Sequence, residues 1–108
     1  MSQFDDRERT FEKKFAHDEE LKFKATARRN KLLGLWAAEL MGLSGAAAAT
    51  YAKEVVKADF AEAGEEDVYR KVKGDLDAKK LEVSEHRVRK AMADLMDEAK
   101  RQIWSEPK

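Results

Sequence analysis

Apolar residues recur every three or four positions along this chain, and no segment alternates as a strand would, so the pattern predicts helices throughout. Leu21, Ala25, Leu32, Trp36, Leu40 and Leu43 fall at helical spacing, interrupted by Arg28 and Arg29, which predicts one long amphipathic helix over residues 18–43. Asp18, Glu19 and Glu20 put acid where the positive end of its dipole favours it. Gly42 and Gly45 around Ser44 signal a break and an N-cap. A second helix follows over residues 46–63, with Ala48, Tyr51, Ala52, Val55, Val56, Phe60 and Ala63 on one side and Gly64 as its stop. Val68, Val72 and Leu76 at strict i+4 spacing, behind Glu65, Glu66 and Asp67, predict a third over residues 65–78, weakened by Gly74. Ser84 caps a fourth, over residues 85–104, which carries Val88, Ala91, Met92, Leu95, Met96, Ala99 and Ile103, with Trp104 near its end and Pro107 beyond. The expected fold is all-α: a small four-helix bundle over residues 18–108.

Residues 1–17 do not share that pattern. In FDDRERTFEKKF three phenylalanines stand among residues that, Thr10 apart, are all charged. On a helix Phe4, Phe11 and Phe15 fall within about 40° of one another, whereas a strand would put Phe4 on the face opposite the other two. The i,i+4 pairs Asp5–Arg9 and Lys14–Asp18 favour that helix, and Arg9–Lys13 and Glu8–Glu12 oppose it. Burying three rings returns less free energy than ordering the backbone of the whole segment costs. The segment is therefore expected to be flexible or marginally helical. The competing expectation is that the rings fold back onto the bundle as an extra turn of core.

Composition narrows the function. Charged residues make up 41% of the 108 residues, and the net charge is zero, which argues against a general nucleic-acid binder. The chain has no cysteine, no signal-peptide pattern after Phe4 and no apolar run near 20 residues, so the expectation is a soluble, unexported protein without membrane insertion. His17 and His86 have no second ligand at metal spacing, and no metal site is expected. His17 beside Asp18, Glu19 and Glu20 is a candidate pH-sensitive hinge. No triad can be drawn, because Ser44 and Ser84 sit at helix boundaries and Ser105 at a fraying end; the carboxylates read as a solvated face, so no enzyme is expected. The run KFKATARRNK, residues 22–31, holds five basic residues and no acid. It reads as the basic half of a bundle helix, with a helical nucleotide- or nucleic-acid-binding module as the alternative, and a membrane-surface helix through residues 32–43 as a third reading. GLSGAAAAT has glycines ahead of a helix but lacks the G-K-[ST] end of a phosphate-binding loop.

The combination of FDDRE, FEKKFAHDEEL, FKATARRNKLLGLWAAELMGL and YAKEVVKADF resembles the α-proteobacterial ATPase inhibitors known as the zeta subunit, formerly a domain of unknown function. The likeness runs through nearly the whole chain and is densest between Phe4 and Leu43. It implies a four-helix protein whose N-terminal segment enters the catalytic head of the F1FO ATP synthase, at an α/β interface near the rotor γ subunit, and blocks ATP hydrolysis. Carried onto this sequence, the partner-binding residues are Phe4, Asp5, Asp6, Arg7, Glu8, Phe11, Glu12, Lys13, Lys14 and Phe15, with the helical body as an anchor outside. The chain is further expected to be a monomer when free, to be cytoplasmic and peripheral to the inner membrane through the synthase, and to require no cofactor. Adenine nucleotide binding is allowed, without assigned residues.

Overall fold

The computed structural model describes residues 13–15, 17–59 and 65–106. Within them run α1 (Glu19–Leu40), α2 (Gly45–Ala58), α3 (Glu66–Ala78) and α4 (Glu85–Ser105). The expected all-α bundle is what forms. α1 is the central element: it packs on all three other helices, most extensively on α2 and α4.

The helix ends follow local chemistry. Asp18 leaves the helical region at φ −103°, ψ 105°, and its carboxylate accepts the Leu21 N–H at 3.1 Å, satisfying one orphan donor of α1. At the other end Gly42, at φ 78°, lets the chain turn back so that Leu43 N–H reaches Ala38 O at 2.8 Å. α1 therefore stops at Leu40, short of the expected residue 43. α3 closes the same way, with Leu81 N–H on Leu76 O at 3.1 Å, but here Lys80 holds the left-handed conformation, at φ 60°. Ser84 caps α4 through Arg87 N–H, as expected, whereas Ser44 precedes α2 without a side-chain cap bond.

The core forms where the periodicity places it in three helices. Tyr51, Ala52 and Val55 of α2, Val68, Val72 and Leu76 of α3, and Val88, Met92 and Ala99 of α4 are buried. Val83, in the connection before α4, joins them. In α1 the buried line differs from the expected one. Ala25, Arg29, Asn30, Leu33, Gly34, Ala37 and Ala38 are buried, while Leu21, Leu32, Trp36, Leu40 and Leu43 are half-buried at its flanks. The reason is crowding: a helix gripped on two sides needs small residues on its contact line. At Gly34 an added Cβ would lie 2.6 Å from the Ala52 Cα.

Ion pairs join the outer faces. Arg89 grips Glu66 with two nitrogens at 2.9 and 3.0 Å and lies over the Tyr69 ring at 3.8 Å, tying α4 to the start of α3. The Tyr51 hydroxyl donates to Asp75 at 2.8 Å, and Lys71 reaches the same carboxylate at 2.9 Å, joining α2 to α3. Burial, and then the bond to Asp75, push the Tyr51 hydroxyl well above the usual phenol range.

Two experiments check this packing. Gly34→Ala is expected to lower stability by about 1–3 kcal/mol despite the better helix former, because its neighbour is backbone. Gly74→Ala, where a Cβ meets nothing within 4 Å, is expected to raise it by about 0.5–1 kcal/mol. Urea denaturation of both variants should give opposite signs. Tyr51→Phe is expected to cost about 1–2 kcal/mol near neutral pH. A phenol whose folded pKa is raised stabilises fully below its unfolded value, and that contribution fades as pH rises beyond about 10. The stability difference between wild type and Tyr51→Phe should therefore narrow under alkaline conditions.

Candidate functional site

The described part of the N-terminal segment is a short helical stretch, residues 13–15 and His17, ending at Asp18, whose N–H bonds to Lys14 O at 3.0 Å. Because Asp18 is extended, this stretch and α1 are two helices meeting at a joint, not one continuous helix. Lys13, Lys14 and His17 are exposed. Phe15 is not: it is 2% exposed, its ring 6.3 Å from that of Trp104 at a 43° tilt, with the Lys100 ammonium 5.9 Å from the ring centroid. Such a separation and tilt suit an aromatic pair, and the cation sits at the outer range for attraction to a ring face.

For this one ring, burial follows the competing expectation that the phenylalanines fold back onto the bundle. The partner is hard to read because Trp104 lies in the last turn of α4, 89 positions away by residue number, and the sequence presents it only as a residue near a helix end. The signal that could have found it is the i,i+4 pair Lys100 and Trp104, a cation and an aromatic at the edge of α4. Asp18, next to the boundary expected at residue 17, is extended, and Phe15, on the segment side of that boundary, packs beside Trp104. Phe4, Asp5, Asp6, Arg7, Glu8, Phe11 and Glu12 lie outside the described residues, as do Phe60, Ala63 and Gly64.

The basic run divides between outside and inside. Lys22 and Lys24 pair with Glu19 and Glu20 at 3.5 and 3.3 Å on the exposed face. Arg28 donates to Gln102 at 2.8 Å and pairs with Glu106 at 2.5 Å, fastening α1 to the end of α4. Arg29 is buried, with Nε donating to Asn30 Oδ1 at 3.0 Å and Nη1 to Glu65 at 3.2 Å. Burial lowers its pKa, opposed by the Glu65 and Asp59 carboxylates. Asn30 Nδ2 and Asp67 Oδ2 are buried without a hydrogen-bond partner among the described residues.

Beside the run lies an open groove of about 490 Å³, lined by Phe23, Lys24, Ala27, Arg28, Lys31, Val56, Ile103 and Glu106. Phe23, at 63% exposure, stands at its side. Among the described residues no three His, Cys, Asp or Glu side chains gather as metal ligands, and no helix is long and apolar enough to cross a membrane.

A family model described as ATPase inhibitor subunit zeta matches residues 1–102. A protein solved by solution NMR is 57% identical and superposes at a TM-score of 0.73, with 81% of this chain and 99% of that chain covered. No curated protein matches the chain. With the joint, the basic run and nearly all of the bundle inside the family match, the chain belongs to the ATPase inhibitor subunit zeta family, and is a regulatory protein of the F1 part of the ATP synthase, not an enzyme.

Proposed function

We propose that the N-terminal segment inhibits ATP hydrolysis by wedging, as a helix, into an α/β catalytic interface of the F1 head close to the rotor. The observation that carries this reading is the family match, which takes in the segment as well as the body. It is supported by the helical stretch at residues 13–15 and His17, which supplies a turn from which a helix can extend toward the N-terminus. Extension places Phe4 and Phe11 within about 40° of Phe15, as one apolar stripe.

On this reading the stripe fills apolar pockets of the cleft, and Asp5, Asp6, Arg7, Glu8, Glu12, Lys13 and Lys14 fix its orientation through charged walls. Contact with the partner supplies the free energy that ordering of the segment requires, so folding accompanies binding. The wedge obstructs opening and closing of the catalytic interface without competing for nucleotide, and rotation in the synthesis direction expels it. The body stays outside as the anchor, holding the protein peripheral to the membrane through the synthase. His17 lies one residue before the extended joint residue, exposed, where a hinge would act.

The groove at Lys24, Arg28 and Lys31 is where an adenine nucleotide, the second candidate ligand, would meet cations. A phosphate there would have to displace Glu106 from Arg28, which disfavours this reading.

Removal of residues 1–12 leaves Phe15, the joint and all four helices in place. The truncated protein is expected to keep its helical content and melting temperature, yet to leave ATPase activity of the purified cognate F1 undiminished at concentrations where the full chain inhibits it. Equal inhibition by both proteins would place the inhibitory surface in the body. Phe11→Ala in the full chain is expected to weaken inhibition about tenfold or more without changing the melt.

A further inference from the structure

We infer that Trp104 and Lys100, at the opposite end of the chain from the inhibitory segment, regulate inhibition by clasping Phe15 against the bundle. The inference rests on the segment reading above and adds to it a second state, in which the segment's last ring belongs to the body.

Three observations make the contact a clasp and not simply core. First, Phe15 stands outside the central cluster that joins Leu33, Tyr51, Val72, Leu76 and Met92, although it is almost fully buried. It can leave without opening that cluster. Second, Trp104 is 46% exposed, so the pair sits at the rim where one ring can be drawn off through solvent. Third, the last turn of α4 is held to α1 independently, by Arg28 on Gln102 and Glu106. Trp104 therefore keeps its place when Phe15 departs.

The joint at Asp18 makes the exchange geometrically simple. Its backbone is already outside the helical region, and the cap on Leu21 N–H holds the start of α1 whichever way the preceding turn points. Residues 13–17 can swing about this joint, carrying Phe15 from Trp104 to the partner, while the bundle stays unchanged. A partner that takes all three rings binds only the unclasped state, so its apparent affinity is reduced by the fraction of chains that are unclasped.

The sign of this effect tests it. Trp104→Ala removes the clasp and leaves every residue of the segment intact, so it is expected to lower the concentration for half-inhibition of the cognate F1-ATPase by about three- to tenfold. Lys100→Ala should shift it in the same direction by less, and serves as the check should Trp104→Ala lose helical content. If wild type inhibits but both variants are unchanged or weaker, the clasp is overturned. If wild type does not inhibit at all, the segment reading fails first. A second readout uses 5-fluorotryptophan and ¹⁹F NMR, with Trp36→Phe isolating the Trp104 signal. On saturation with F1 that signal should move toward its position in free Phe15→Ala, and a signal that stays at the free wild-type position overturns the proposal.

Discussion

The bundle depends on how closely α1 and α2 approach. At Gly34 the missing side chain lets the Ala52 backbone come to a distance that no Cβ would tolerate. That contact draws in Ala37 and Ala38, which are fully buried, and pushes the bulky residues of α1 to its flanks. A helix with small residues along its contact line and large ones on either side can be gripped by two neighbours at once. α2 and α4 do so, and α3 closes the remaining side through the strictly spaced Val68, Val72 and Leu76.

The cost of this arrangement is polar burial. Arg29 and Asn30 lie on the same inward face as Leu33 and Gly34, with Arg29 donating to Asn30 Oδ1 and to Glu65. Removing Glu65 would take away the carboxylate that Arg29 bonds to, leaving Asn30 Oδ1 as its bonded acceptor and Asp59 as the other nearby carboxylate, so the buried charge would be under-compensated. The group links α1 to the start of α3 and so fixes which residues of α1 face inward. Arg89 does the corresponding work between α3 and α4, but at the surface, where it lies over the Tyr69 ring as well as pairing with Glu66.

The bundle's four helices and their order were legible because caps and period agree: Ser84, Gly42 and the i+4 valines each signal locally what the fold needs globally; the end of α2 was not, since it stops at Ala58 and not at the expected residue 63. The inward face of α1 was not legible. Its leucines and tryptophan satisfy helical spacing as well as the true line does, and only the presence of two close neighbours, a non-local fact, decides for alanine and glycine. Arg29 was read as an interruption because sequence alone prices a charge as exposed, and the carboxylate that makes its burial tolerable lies 36 positions on. At the candidate site, the stripe of Phe4, Phe11 and Phe15 is an expectation from spacing and resemblance, and two of its three rings lie outside the described residues. The ring that receives Phe15 could not be read, since nothing local connects residue 15 to the last turn of α4.

The extended residue at Asp18 has a mechanical meaning. Two helices fused end to end form a rod, and a load applied at the tip of a rod is felt at its base as a bending moment multiplied by its length. Two helices joined through one non-helical residue form a swivel, which passes tension along the chain but little torque. A motor pushing on the segment would therefore tug on the body at a single point, and would not lever the bundle apart. On the wedge reading proposed above, a small body with a modest core would suffice, because its fold would be insulated from load on the segment.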